Sequence, residues 1–200
     1  MKQFFIAIFS LVWMGSVFSQ NSKQELSQMK ELLKEISINA IELGYVNAKL
    51  SPKQLEAKWL GFEPATSEAI HKLEKRLGIE LPSDYKAFMQ LTNGFLFATG
   101  VDPSFCAVEK VAYLKKTDPY LIEVWSAPGT ADIGEKLKTA IQVGGFDEEQ
   151  YFYLIPPSKE NPNWEYWVFA NWAPGETVYH SLADYFKTVL EYTVYFMEKE

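Results

Sequence analysis

Cysteine is almost absent from this sequence, since Cys106 is the only one in 200 residues. A single cysteine excludes a disulfide-linked scaffold and a zinc site built from several cysteines. Cys106 lies in the apolar stretch Phe105-Cys106-Ala107-Val108, and free cysteines are among the most frequently buried residues. We therefore expect a buried, unreactive thiol, with a reactive or intermolecular cysteine as the alternative.

Basic residues are also few, with 19 Lys and Arg against 26 Asp and Glu, which gives a net charge of −7. This balance argues against nucleic acid as a partner, because phosphate-binding surfaces need clustered positive charge. Glycine and proline, at 11 and 10 residues, are too scarce for a collagen-like or low-complexity chain. The 48% of hydrophobic residues excludes a wholly disordered protein and predicts a globular core that is rich in aromatics.

Residues 1–19 have the organisation of a secretory signal peptide. Lys2 supplies a basic start, residues 4–14 form an apolar segment, and Val17 and Ser19 are small residues before the expected cut. The apolar segment is shorter than the roughly 20 residues that span a bilayer, so a retained membrane anchor is the less favoured alternative. We expect cleavage near Ser19 and a secreted or periplasmic protein without membrane attachment after cleavage.

Helical periodicity predicts an N-terminal helix over residues 22–43, which belongs with a linker to an N-terminal segment spanning residues 20–50. Further helices follow from capping and helix-breaking residues. They are a short helix after Ser51-Pro52, a helix from about Ser67 to Leu77 that Gly78 ends, a helix that carries Tyr85, Phe88, Met89 and Thr92 and stops at Asn93-Gly94, and a last helix capped by Ser181.

The middle of the chain alternates short apolar runs with turn residues, which is typical of strands. We predict strands over residues 105–114, 140–143, 150–155 and 164–170, and a short helix or a loop over residues 118–127. In the last of these strands both alternating sets of side chains are largely apolar, so both faces of the sheet should be covered. Helices, a meander of strands and a final helix define an α+β protein.

The chain from Trp59 onwards resembles a SUKH domain. It reads Trp59-Leu60-Gly61-Phe62 at the start and Leu81-Pro82-Ser83-Asp84-Tyr85 further on, with Thr92-Asn93-Gly94 after that. The resemblance extends over about residues 57–198 and defines a SUKH-like domain over residues 51–200. The residues that carry it are Trp59, Gly61, Glu74, Gly78, Leu81, Pro82, Tyr85, Phe88, Asn93 and Gly94.

The SUKH superfamily includes fungal regulators of cell-wall assembly and bacterial immunity proteins that neutralise toxins. The resemblance implies a single α+β domain with a mixed, mostly antiparallel sheet packed against helices, here with an extra N-terminal helix. It also implies protein binding, with no enzymatic activity and no cofactor. The motif residues have conformational or core roles, since Gly78 lets the chain leave a helix and Pro82 keeps Leu81 extended. The motif therefore identifies a scaffold rather than a contact surface.

Residues able to carry catalysis are few and scattered. His71 and His180 are the only histidines, and neither has a second ligand at metal-binding spacing, so we expect no metal site and no catalytic residue. A dyad of Cys106 with one of the histidines is an alternative that lacks a local signature.

Acidic residues near tryptophans provide a second enzymatic alternative, a hydrolase that acts on glycans. Glycoside hydrolases place two carboxylates on either side of the bond that they cleave. The candidates are Glu165, Glu176 and the acids of residues 147–149, and the tryptophans beside them are Trp164, Trp167 and Trp172.

The acidic turn Asp147-Glu148-Glu149, with Phe146 at its base, is the candidate partner-binding site. Charge around an apolar anchor is the usual anatomy of a protein interface, and acids speed encounter with a basic partner. A turn that only promotes solubility is the simpler alternative.

The leading hypothesis is a SUKH-type, non-enzymatic module that binds a protein partner, such as a toxin, outside the cytoplasm. Immunity proteins of this superfamily mostly work in the cytosol, so a signal peptide requires a target in the cell envelope or another use of the domain. A scaffold or regulator of the envelope is the alternative. The oligomeric state stays open.

Overall fold

The computed structural model describes residues 4–199 except residue 171, with side chains described from residue 24 onwards. The side chains of the predicted signal peptide, residues 1–19, lie outside this description, and residues 1–3 lie outside it altogether. The helices are α1 (Phe4–Leu43), α2 (Pro52–Ala57), α3 (Ser67–Leu77), α4 (Ser83–Leu91), α5 (Leu114–Thr117), α6 (Pro119–Trp125), α7 (Ala131–Leu137) and α8 (Leu182–Met197). The strands are β1 (Ala112–Tyr113), β2 (Ile141–Gly144), β3 (Gln150–Ile155), β4 (Glu165–Ala170) and β5 (Glu176–Tyr179).

The five strands form one antiparallel sheet in the order β1-β2-β3-β4-β5. The longest ladder joins β3 to β4 and begins with Gln150 opposite Ala170. Beside the end of β2, isolated bridges join Gly144 to Phe105 and Phe105 to Phe95. The predicted α+β class, with a mostly antiparallel sheet packed against helices and an N-terminal helix, is confirmed.

Helices cover both faces of the sheet, and alternate residues of β3 and β4 enter two separate cores. The larger core, under α1, α4 and α8, receives Phe152, Leu154, Tyr166 and Val168. The smaller core, beside α6 and α7, receives Tyr153, Ile155, Trp167 and Phe169. The two apolar sets of β4 therefore serve two cores, as the sequence predicts.

Helix α1 contains the predicted N-terminal helix and packs against α8 and α4. Its inward stripe is buried, with Leu33 and Ile36 fully enclosed. Polar contacts position it as well, since the Asn39 side chain donates to Thr193 Oγ1 at 3.1 Å and Ser37 Oγ accepts from the Leu60 backbone N–H at 3.2 Å. Among the described residues no helix combines the length and apolarity needed to cross a bilayer.

The predicted capping residues flank α2, α3 and α8 as expected, whereas α4 ends earlier than predicted, at Leu91, because the backbone of Thr92 is already extended. Ser51 and Gln54 form a reciprocal capping box at the start of α2, and Ser181 Oγ accepts from the Asp184 backbone N–H at 3.1 Å at the start of α8. Gly78 follows α3 with φ of 71°, a left-handed conformation that glycine adopts without strain. Local sequence therefore determines where these helices begin and end.

The motif residues around α4 hold the helices together. Glu74 Oε1 accepts from the Leu81 backbone N–H at 2.9 Å and lies 3.2 Å from Lys86 Nζ, so one carboxylate links α3 to α4. Pro82 occupies the N-cap position of α4. Tyr85 and Phe88 are completely buried in the larger core, as expected.

The remaining motif residues shape the chain between α4 and the sheet. Asn93 Oδ1 accepts from the Val108 backbone N–H at 2.9 Å. Gly94 has φ of 111°, and a Cβ there would lie 3.2 Å from the Phe105 carbonyl, so both conformation and space favour glycine. A Cβ on Gly61 would lie only 2.3 Å from Thr92 Oγ1. The Trp59 ring packs edge-on against Phe95.

The predicted strand over residues 105–114 is wrong, because the structure has only the bridge at Phe105 and the two-residue strand β1 there. The segment between them turns, with Lys110 N donating to the Ala107 carbonyl at 2.9 Å. The guanidinium of Arg76 also donates to the Val108 carbonyl at 2.7 Å. Contacts with α3 and with Asn93 thus replace the ladder that the apolar run predicts.

Among the described residues, α5, α7 and β5 lie where no helix or strand was predicted, and a 3-10 helix covers Asn47–Lys49 in the predicted break after α1. Residues 118–127, interpreted as a short helix or a loop, contain the helix α6, whose N-cap Asp118 accepts from the Leu121 backbone N–H at 3.0 Å. Short elements bury few residues each, so their periodicity is too brief to read from the sequence.

Candidate functional site

The candidate partner-binding residues form the turn between β2 and β3. Asp147 and Glu149 are exposed, whereas Phe146 and Glu148 are half-buried. Glu148 Oε2 accepts a hydrogen bond from the Ser104 backbone N–H at 2.7 Å. One of the three acids therefore fastens the turn to a neighbouring loop, and the other two face solvent.

The neighbouring loop, residues 98–104, contains a buried carboxylate that the sequence analysis did not single out. Asp102 is 9% exposed. Its Oδ2 accepts from the Thr99 backbone N–H at 3.0 Å and from the Thr99 hydroxyl. Burial raises the pKa of Asp102 above its ordinary value, although the hydrogen bonds from Thr99 oppose this effect. The loop therefore holds an acid with little access to water.

Asp102 lies at a groove of about 300 Å³. The groove runs between the loop that holds Asp102, the connection from β4 to β5, and α8. The aromatic residues that line it are Trp172, Tyr179, Tyr185, Tyr192 and Phe196. We call this the Asp102 groove.

Large apolar side chains remain exposed around the Asp102 groove. Trp172 is 55% exposed, Tyr192 53% and Val101 49%. Tyr45 extends this surface, since its ring lies 6.4 Å from that of Phe196. Exposed apolar side chains that adjoin one another are typical of interaction sites. We call these five residues the aromatic face.

The electrostatic surroundings of the groove are negative. None of the described residues that line it is basic, and its acids are Asp102 and Glu176. Glu176 pairs with Phe169 across the strands, so its side chain lies on the face of the sheet that carries the smaller core. Asp102 is therefore the acid whose charge lies within the groove. Burial raises the pKa of Tyr185 well above its ordinary value, and the charges of Asp102 and Glu148 raise it further. The carboxylate of the groove and that of the acidic turn therefore both favour the neutral form of the Tyr185 hydroxyl.

A second, more polar groove of about 770 Å³ lies near the N-termini of α4 and α8. Its carboxylate at Asp84 is already bonded: it accepts from the backbone N–H groups of Tyr85 at 2.8 Å and Leu182 at 2.9 Å, and from the Tyr166 hydroxyl. These bonds join α4, β4 and α8. The Asp84 carboxylate of this groove therefore holds the fold together.

Two of the carboxylates considered for glycan hydrolysis, Glu165 and Glu176, are too far apart to act as a pair. Glu165 lies four residues along β4 from Phe169, the partner of Glu176, which separates the two acids by about 13 Å. Glycoside hydrolases need separations of roughly 5 to 9.5 Å. Glu165 also has a structural role, because it lies 3.0 Å from Lys136 Nζ and accepts from the Trp167 indole at 2.8 Å.

The tryptophans do not share one surface either, since Trp167 is buried and Trp172 is exposed.

Cys106 is half-buried, and burial raises the pKa of its thiol to about 12, so the nucleophilic thiolate is scarce at neutral pH. His71 and His180 are both exposed. Within the part of the chain that the structure describes, no three His, Cys, Asp or Glu residues converge on a metal-sized site.

The family to which the chain belongs follows from a comparison with known families. The model of the SMI1 / KNR4 family (SUKH-1) matches residues 64–196, which is most of the chain. The protein therefore belongs to this family, which is generally non-catalytic, and the predicted SUKH resemblance is confirmed. The matched region includes every motif residue from Glu74 to Gly94, whereas Trp59 and Gly61 precede it. The comparison with curated proteins gives no match.

Proposed function

We propose that this protein is a non-enzymatic, SUKH-type binding module of the immunity-protein kind, which acts outside the cytoplasm by occupying the surface of a partner protein. The aromatic face beside the acidic turn is the observation that carries this proposal. Tryptophan and tyrosine are the residues that most often dominate binding energy in protein interfaces. The family places the domain among proteins of mostly non-catalytic function.

The chemistry of this surface favours a basic partner. Asp147 and Glu149 face solvent on the turn, and the adjoining groove contains Asp102 without a basic lining residue among those described. Clustered negative charge accelerates encounter with a positively charged protein, while desolvated aromatics slow its dissociation. The acidic turn therefore serves encounter, and the aromatic face serves retention.

The N-terminal sequence supports action outside the cytoplasm. A basic start, an apolar segment and small residues at Val17 and Ser19 are what signal peptidase processes. When the full chain is expressed in a Gram-negative host, we expect a periplasmic product shortened near Ser19. Full-length protein in the membrane fraction would contradict the proposed export.

Site-specific photo-crosslinking tests the binding face. A photoreactive phenylalanine analogue at Tyr192 should crosslink the partner in the cells that produce this protein, because this side chain is exposed on the aromatic face. The matched control is Tyr120, which is 71% exposed but lies on α6, beside the smaller core. Equal crosslinking from both positions, or none from Tyr192, would overturn the proposed face.

The crosslinked protein also separates the two forms of the function. A toxin whose activity falls when this protein is added supports the immunity role. A component of cell-wall assembly whose activity is not inhibited supports the envelope scaffold instead, and replaces the immunity role.

A further inference from the structure

The Asp102 carboxylate is a negative charge held in a nearly water-free position without a positive partner among the described lining residues. Its two hydrogen bonds from Thr99 enter the same oxygen, Oδ2, and both donors are neutral. Neutral donors reduce the cost of burying an acid but leave its net charge in place. A ligand that brings a positive charge to this groove would therefore gain from neutralising it.

The walls of the groove suit the rest of such a ligand. Trp172 and Tyr192 stand at the exposed rim, and Tyr179 and Tyr185 lie deeper, with ring centroids 5.4 Å apart. Aromatic rings attract cations through their negative π faces and also cover the apolar stem of a long side chain. A volume of about 300 Å³ is at the lower end for ligand pockets, which favours one side chain over an extended molecule.

We propose that the Asp102 groove binds the side chain of an arginine or lysine presented by a basic partner protein, with its charge directed at Asp102 and its stem between the aromatic rings. This inference rests on the proposed function and specifies the partner's contribution to that interface. The raised pKa of Asp102 is consistent with a carboxylate that lacks a cation in the unbound protein.

The test uses short peptides as probes for the unidentified partner. Ac-Gly-Arg-Gly-NH2 and Ac-Gly-Lys-Gly-NH2 are titrated into the purified protein, with the norleucine peptide as the uncharged control. The NMR signal of the Trp172 indole, identified by its loss in Trp172→Phe, reports occupancy. We expect saturable shifts with the two cationic peptides, and at least tenfold weaker binding of the norleucine peptide.

Substitutions in the groove, with a control outside it, test whether the peptides bind there. Asp102→Asn keeps the shape of the side chain and an acceptor for Thr99, and should weaken binding of the cationic peptides at least tenfold. The control Asp132→Asn, at an exposed acid on α7, should leave their binding unchanged. If the melting temperature shows that Asp102→Asn does not fold, Tyr192→Leu replaces it, since this exposed residue loses its π face and keeps apolar bulk. Severalfold weaker binding to Tyr192→Leu is then expected.

Three results would overturn the inference: no saturable shift with either cationic peptide, equal binding of the norleucine peptide, or unchanged affinity in the folded groove variants. A response to tetramethylammonium alone would also overturn it, in favour of a small quaternary ammonium ligand. Crosslinking from Tyr192 without peptide binding would remove this inference and leave the proposed function intact. Peptide binding without any crosslinked partner would remove the proposed function and leave the groove only as a site for cationic side chains.

Discussion

Two groups of aromatic residues in this protein have similar chemistry and opposite surroundings. Phe88 is fully buried, and its ring lies 5.0 Å from Phe105 and 5.6 Å from Phe186. Trp172 and Tyr192, by contrast, are more than half exposed. The first group stabilises the domain through burial, whereas the second is left exposed where it can contact a partner. Aromatic content alone thus does not separate the core from the exposed surface.

The same contrast holds for two carboxylates. Asp84 accepts hydrogen bonds from α4, β4 and α8, so its charge is used to join three elements. Asp102 accepts from Thr99, a residue of its own loop, and borders the groove. An acid that joins elements serves the fold, while an acid bonded only within its loop remains able to meet a ligand.

The largest effect is expected in the core. Phe88→Ala should lower the free energy of unfolding by about 3–5 kcal/mol, because it removes a fully buried ring from a packed cluster. Trp172→Ala, the matched change on the aromatic face, should stay within about 0.5 kcal/mol of the parent. Denaturant melts measure both, and equal losses would erase the distinction between the two aromatic groups.

The next effect separates the two carboxylates. Asp84→Ala should destabilise the protein by about 3 kcal/mol, since it leaves the Leu182 backbone N–H and the Tyr166 hydroxyl without their acceptor. Thermal unfolding measures this loss. The control Asp132→Ala, at an exposed acid, should change the melting temperature little. A melting temperature unaffected by Asp84→Ala would mean that this acid does not join the elements.

The acidic turn should affect association rather than stability. Replacing Asp147 with asparagine, which tolerates the left-handed backbone at this position (φ of 62°), and Glu149 with glutamine should slow binding of a basic partner about tenfold at low salt and less at high salt, because salt screens exposed charges. Glu148 is retained, since its bond to Ser104 is structural. Stopped-flow association rates for parent and variant that coincide at low ionic strength would exclude the turn from binding.

A smaller effect concerns Tyr85, whose buried hydroxyl has no hydrogen-bond partner among the described residues. Tyr85→Phe should leave stability unchanged or raise it by up to about 1 kcal/mol, because it removes a desolvated polar group. Tyr166→Phe is the matched comparison and should lower stability by about 1 kcal/mol, since its hydroxyl donates to Asp84. The melting temperature should therefore fall for Tyr166→Phe and should stay unchanged or rise for Tyr85→Phe.

The smallest effect is a pH dependence that arises from Asp102. Its folded pKa lies above the ordinary value of 3.8, so its stabilising contribution is complete below that value and declines as the pH rises through the raised folded pKa. Asp102→Asn lacks this decline, so the stability of the parent relative to the variant should fall over the same pH range. Urea melts from pH 3 upwards measure the difference, which should be constant if Asp102 titrates normally.

Much of the fold is predictable because local chemistry determines it. The bounds of α3 follow from a stripe of apolar residues and from Gly78, and those of β3 follow from a short apolar run between turn residues. The turn over residues 107–110 is not predictable, because the side chains of Arg76 and Asn93, from distant parts of the chain, bind it and divert an apolar run from a strand. A local pattern carries no information about such long-range bonds.

The candidate site shows the same limit. The acidic turn is visible in the sequence as three adjacent acids, whereas Asp102 sits in Val101-Asp102-Pro103, which has no recognisable pattern. Tyr192 is one of several tyrosines near the C-terminus, and only the packing of α8 against α1 leaves its ring exposed. Neither residue could be selected before the elements that surround the groove were in place.

The amino-acid sequence by itself therefore determined the family, the capped helices, the acidic turn and the pattern of a strand covered on both faces. These properties depend on residues that are close along the chain, so they can be read without coordinates. The tertiary structure alone decided which aromatics are exposed, which carboxylate joins elements and which one borders a groove. Burial depends on what the rest of the chain brings to each side chain, and that is settled only when the helices close over the sheet.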